Sequence, residues 1–109
     1  IAGTFSDHPD LVSKIKKASE KAGEKFWQLP IEKAYKRMIK SDVADMKNVG
    51  ARWGGAITAA LFLQEFAPPN VAWAHLDIAG PAHVGHDQPI CIKGGTGFAV
   101  RTFVEFVAG

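Results

Sequence analysis

The chain has a single cysteine, Cys91, so no intrachain disulfide can form; a disulfide-stapled scaffold is excluded and a reducing compartment fits. It also lacks any apolar run long enough to cross a bilayer. The longest, Ala56 to Leu63, is interrupted by Thr58 and gives way to Gln64 and Glu65, whereas a spanning helix takes about 20 residues. Charge of one sign is scarce too. The formal net charge is +2, divided as +3 over residues 1–48 and −1 over residues 49–109. No basic stripe with interleaved aromatics accompanies it, which argues against nucleic acid as the main partner. There is no internal repeat, low-complexity tract or dividing linker, and 109 residues suit one small domain. Ile1 is not a methionine and no signal-peptide pattern follows it, so the expectation is a processed product or a piece of a longer chain.

What is present begins with Val71 to Gly80, which reads as a strand over Val71–Ala79. Alternation sends Val71, Trp73, His75 and Asp77 to one face and Ala72, Ala74, Leu76 and Ile78 to the other. Both faces are largely apolar, as expected of a central strand covered on each side, and polarity rises only toward the carboxyl end. In open α/β sheets that end is where ligands bind. No second strand of this quality is visible. A strand without neighbours leaves its backbone groups unpaired, so most of the sheet is expected outside this sequence or in a partner.

Helical periodicity fills much of the remainder. Pro9 between Asp7 and Asp10 marks a helix start, and Leu11, Ile15, Ala18, Ala22 and Phe26 form one apolar stripe, with Gly23 placed to loosen or end it. After Pro30, Ile31, Ala34, Tyr35, Met38 and Ile39 make a second, shorter helical face. Ser41 to Trp53 has no sustained period and reads as loop. Ala56 to Phe66 is apolar around nearly its whole circumference, the pattern of a helix buried on all sides. Gly80 to Gly97 holds five glycines and two prolines and reads as an irregular loop; Val100, Phe103, Val104 and Val107 mark a final helix packed on the core.

Several residues invite chemistry. His83, His86, Asp87 and Cys91 lie close in sequence, but a zinc site needs three or four converging ligands and no second cluster supports them; incidental histidines on a solvated loop are the better reading. His75 reads as a hydrogen-bonded strand residue. Lys93-Gly-Gly-Thr-Gly97 before a helix offers backbone N–H groups to an anion, yet it is not a P-loop, and a tight turn allowing close packing is favoured. A triad assembled from Ser41 or Ser13 with His75 and Asp77 has no Gly-x-Ser-x-Gly elbow behind it.

Five segments nevertheless occur in one order: Phe26-Trp-Gln-Leu-Pro30, Ser41-Asp-Val-Ala-Asp-Met-Lys-Asn48, Gly54-Gly-Ala-Ile-Thr-Ala-Ala-Leu-Phe-Leu63, Trp73-Ala-His-Leu-Asp-Ile-Ala-Gly80 and Gly95-Thr-Gly97. Together they resemble the carboxyl-terminal portion of the leucine aminopeptidase (cytosol aminopeptidase) family. The resemblance implies an α/β fold, part of a three-layer α-β-α catalytic domain incomplete in this chain, with residues 1–109 forming a single partial domain. It implies a peptide substrate, two divalent metal ions (zinc or manganese), a homo-hexamer and a cytoplasmic or organellar protein. The family's Asn-Thr-Asp-Ala-Glu-Gly-Arg metal signature and its catalytic lysine are absent here, so the chain is expected to hold neither catalytic nor metal-ligating residues. What it would retain is pocket wall. Ala79 and Ala82 match positions lining the pocket for the substrate's first side chain, and Val49 matches one near the pocket for the second residue. Two readings stand: part of an active aminopeptidase that needs the remainder of its catalytic domain, or a noncatalytic structural subunit derived from the family.

Overall fold

Four residues, Ala2–Phe5, form strand β1, and the other strands of its sheet are laid on either side of it. The computed structural model describes residues 1–109. β1 runs parallel to β2 (Phe26–Gln28), with Ala2 opposite Phe26 and Thr4 opposite Gln28. It runs antiparallel to β3 (His75–Asp77), with Gly3 opposite Asp77 and Phe5 opposite His75. The sheet order is therefore β2-β1-β3. Ladders on both edges and packing on both faces leave Ala2, Thr4 and Phe5 buried.

This corrects the reading of Val71–Ala79 as the central strand. The centre is β1, and only His75–Asp77 of the anticipated strand is paired, along one edge of the sheet. The reason is local. β1 supplies only four residues of ladder, and beyond it the Ser6 hydroxyl, not the backbone, takes over by donating to the Trp73 carbonyl at 2.6 Å. Val71 and Ala72 lie exposed.

Helix α1 (Pro9–Ala22) makes the crossover between the parallel strands β1 and β2. Its cap is His8; the His8 amide donates to the Ser6 hydroxyl at 3.0 Å, and Asp10 places negative charge in the first turn, as the sequence indicates. Gly23, at φ 69°, ends α1 in the left-handed conformation, with the following Glu24 amide donating back to the Ser19 carbonyl. Phe26, expected on the stripe of α1, thus falls beyond its end and opens β2. The second predicted helical face becomes a 3₁₀ helix, Lys33–Ile39, whose first turn is capped by Glu32 accepting from the Ala34 amide. Residues 41–53 contain no helix or strand, as their pattern indicates.

Helix α2 (Gly55–Gln64) is entered through Gly54 at φ 71° and packs against the 3₁₀ segment and strands β1 and β3. Thr58, Ala60 and Leu61 are buried, but Leu63 is 41% and Phe66 68% exposed, so cover on all sides is not achieved within this chain. The two-residue strands β4 (His83–Val84) and β5 (Gly94–Gly95) pair as a small antiparallel ribbon inside the glycine-rich loop. Helix α3 (Val100–Ala108) packs along α1 through a face that includes the buried Thr102. The expectation that Val100, Phe103, Val104 and Val107 pack on the core fails: all four are more than half exposed, because α3 turns Thr102 inward.

The result is a slab of 48 × 34 × 18 Å with a Cα radius of gyration of 15.5 Å, against about 13 Å for a compact domain of this length. Only 14 of the 109 residues are buried, a core too thin to cover the apolar faces on either side.

Candidate functional site

The polar carboxyl end of β3 leads into a turn whose backbone is fixed from three directions. The Asp77 carboxylate accepts from the Ala79 amide at 3.0 Å, which bends the chain out of the strand. The Ala82 amide donates to the Ile78 carbonyl at 3.0 Å, closing one turn over residues 78–82. From across the ribbon, the Thr96 amide donates to the Ala82 carbonyl at 3.0 Å and the Thr96 hydroxyl to the Pro81 carbonyl at 2.6 Å. Ala79 is exposed and Ala82 half-buried on this turn. Val49 sits on the loop before α2, 70% exposed, and no hydrogen bond ties it to the turn.

The loop beyond closes on itself. Gln88 and Cys91 exchange backbone hydrogen bonds at 2.8 and 3.2 Å, and the Asp87 carboxylate accepts from the Lys93 amide at 2.8 Å. His83 and His86 are exposed. Nowhere do three or more His, Cys, Asp or Glu side chains come together as a metal site would require. Asp77 and Asp87 are each already engaged by a backbone amide, so this chain's own donors do not fit a pair of divalent ions.

His75 is stacked between aromatic neighbours, its ring 5.7 Å from Phe5 and 6.4 Å from Trp73 between centroids. Burial pushes its pKa below the ordinary imidazole value of 6.5, and the nearby Asp77 charge offsets this only in part. No serine completes a triad with it. The Ser41 hydroxyl accepts from the Val43 and Ala44 amides, and Ser13 is exposed on α1.

The anion-cradle reading of Lys93–Gly97 meets a different answer. The free amides at the start of α3 are taken by a carboxylate of the chain itself: buried Glu24 accepts from Ala99 N at 3.1 Å, Thr102 N at 3.1 Å and the Thr102 hydroxyl at 2.6 Å. Glu24 and Thr96 are the two residues that sequence reasoning missed. Nothing local marks Glu24, whose partners lie 75 and 78 residues away. Thr96 carried one signal, as the only side chain within Gly94-Gly-Thr-Gly97.

The largest cavity, about 620 Å³, lies elsewhere, between α1, α3 and the segment entering β3, lined by residues such as Leu11, Ile15, Trp73, Leu76 and Phe106. His75 is its one titratable side chain, and it has no convergent polar groups. Its walls are apolar faces of core elements.

Comparison with known proteins adds the following. The family model described as "Cytosol aminopeptidase family, catalytic domain" matches residues 1–104. A probable cytosol aminopeptidase of Picosynechococcus sp. is 61% identical over 107 residues, covering 98% of this chain and 22% of the relative. Among solved structures, a tomato leucine aminopeptidase mutant superposes with a TM-score of 0.86 at 46% identity, over 97% of this chain and 20% of that one. The bottromycin maturation enzyme BotP in complex with Mn superposes at 0.91 with 44% identity, over 97% and 24%. The chain thus spans about a fifth of the length of the relatives it matches.

Proposed function

The chain belongs to the cytosol aminopeptidase family, and from that membership we propose that it serves as the carboxyl-terminal part of an α/β catalytic domain that removes amino-terminal residues from peptides. Its role there is to supply substrate-pocket wall and packing, not the reacting groups. The observation that carries the proposal is the match of residues 1–104 to the family's catalytic domain in a chain whose own side chains hold no metal-ligand cluster. Two divalent ions, zinc or manganese, would be held by residues outside this chain; the relative solved with Mn supports the metal class. The homo-hexamer and the cytoplasm belong to the same proposal, the latter supported by the relatives' name.

Ala79 and Ala82 are proposed to line the pocket for the substrate's first side chain, with Val49 near the second. What supports this is the family match over these positions and the partly open turn that carries them; β3 runs antiparallel to β1, so the parallel-sheet rule for ligand sites lends no weight here. Neither methyl can move a proton or bind a metal, so their effect is confined to fit.

The test is made on the longer protein that carries this chain. Leucine-p-nitroanilide should be turned over by that protein and not by residues 1–109 alone, with or without added zinc or manganese. Replacing Ala82 with Phe should lower the leucine-to-alanine ratio of kcat/KM by roughly 10- to 200-fold, the scale of a methylene-sized misfit in a pocket. An unchanged ratio in folded, metal-loaded protein sinks the pocket assignment. Absence of turnover in the longer protein sinks the catalytic reading and favours the noncatalytic subunit.

A further inference from the structure

We propose that Thr96 is a positioning residue for side-chain selectivity, holding the Pro81–Ala82 backbone so that the Ala82 methyl stands at a fixed depth in the pocket. This rests on the reading of Ala82 as pocket wall and deepens it.

The turn is weakly secured by its own residues. Pro81 has no N–H to donate, and within the turn only the Ala82 amide to the Ile78 carbonyl closes the backbone. The Asp77 carboxylate holds the start of the turn through the Ala79 amide, and the anchors on Pro81 and Ala82 come from Thr96, whose hydroxyl reaches the Pro81 carbonyl at 2.6 Å and whose amide reaches the Ala82 carbonyl at 3.0 Å. That hydroxyl also accepts from the Phe98 amide at 3.2 Å, so both its donor and an acceptor site are used and its rotamer is set.

Thr96 can hold the turn because it is itself held. Two residues on, the Phe98 ring packs against Phe26 of β2 at 5.2 Å between centroids. The next residue, Ala99, is buried at φ 77°, a left-handed conformation unfavourable to an L residue, with its amide fixed on Glu24. Glu24 also takes the Thr102 amide and hydroxyl. Residues 85–93, in contrast, have hydrogen bonds only among themselves. The turn is thus tied to the core at its start through β3 and Asp77 and at Pro81–Ala82 through Thr96, the only residue between Gly94 and Gly97 with a side chain to do so.

A hydroxyl-to-carbonyl bond of ordinary net strength corresponds to about tenfold in an equilibrium, and that is the effect expected on selectivity. In the longer protein, Thr96→Val removes the hydroxyl while keeping the shape, and Thr96→Ser keeps it. Thr96→Val should cut the leucine-to-alanine ratio of kcat/KM about tenfold, chiefly through the KM for the leucine substrate, with kcat for the alanine substrate within about twofold. Thr96→Ser should restore the ratio to within about twofold. An unchanged ratio in Thr96→Val, or an equal loss in Thr96→Ser, overturns the proposal.

Ala82→Phe assayed in parallel separates the two levels. If it shifts the ratio and Thr96→Val does not, the pocket assignment stands and the role of Thr96 falls; if it shifts nothing, the pocket assignment itself falls. Amide exchange in the unaltered protein decides the matter even where Thr96→Val fails to fold. The Thr96 amide should exchange at least about tenfold more slowly than the unbonded His86 amide, and equal rates overturn the clamp.

Discussion

At the scale of single residues, Glu24 shows why burial, not charge, sets the worth of a contact. Its carboxylate accepts three hydrogen bonds from groups at the start of α3, while Arg101, 54% exposed, stands 3.6 Å away. Glu24→Ala leaves two amides and a hydroxyl without partners. Each such buried loss costs about 1–3 kcal/mol, so the local stability of α3 should fall by at least about 3 kcal/mol, read as faster amide exchange over residues 99–105. Arg101→Ala should change it by less than about 1 kcal/mol, since a pair with a solvent-exposed partner is worth little. His75 contributes in the opposite sense, by resisting protonation. Its folded pKa lies below 6.5, so as pH falls through 6.5 the unfolded chain takes up a proton that the folded chain refuses. Its contribution is complete above pH 6.5 and is lost as pH drops toward the lower folded value. Denaturant midpoints between about pH 5 and 7.5 should decline with acid, and His75→Gln should flatten that decline; an identical slope in the variant would contradict it.

At the scale of elements, the breaks between them are the sharpest features. Gly23 and Gly54 both adopt left-handed backbone, but a Cβ at Gly23 would meet nothing within 4 Å, whereas one at Gly54 would stand 3.1 Å from Tyr35 Cε2. Gly23→Ala should therefore cost about 1 kcal/mol from conformation alone, and Gly54→Ala more, with steric strain added at the entry to α2; thermal midpoints of the two variants should rank in that order. The sequence was legible where period and punctuation coincide. α1 from Pro9, the irregular stretch 41–53 and the helix over most of Ala56–Phe66 follow from apolar spacing, glycine and proline. β1 was not legible. Ala2–Phe5 is too short to show an alternation, and its centrality comes from pairing with Phe26–Gln28 and His75–Asp77, both far along the chain. The same long range hid the Glu24 cap and turned α3 so that its apolar stripe faces outward. The proposal of Ala79 and Ala82 as pocket wall came from family resemblance, because a methyl group carries no chemical signature of its own.

At the scale of the whole molecule, the slab form has a direct consequence for handling. Leu63, Phe66 and Phe103 leave apolar surface open around a cavity of about 620 Å³, and the outer edge of β3 has no strand beside it. Exposed apolar patches and bare strand edges drive association. Residues 1–109 alone should elute from size exclusion as self-associated or poorly ordered material; a monodisperse monomer with one cooperative unfolding transition would show that the chain's core suffices. The Glu24 cap also bears on the order in which the chain settles. A carboxylate made early finds its donors only when residues 99–102 have been made, and closing a loop of that span precedes any reward from it. Until then Glu24 stays hydrated and the α1–β2 junction stays loose. Docking of α3 is thus expected to follow the local elements, and a chain cut short before Ala99 should show faster amide exchange at the α1–β2 junction than residues 1–109 do.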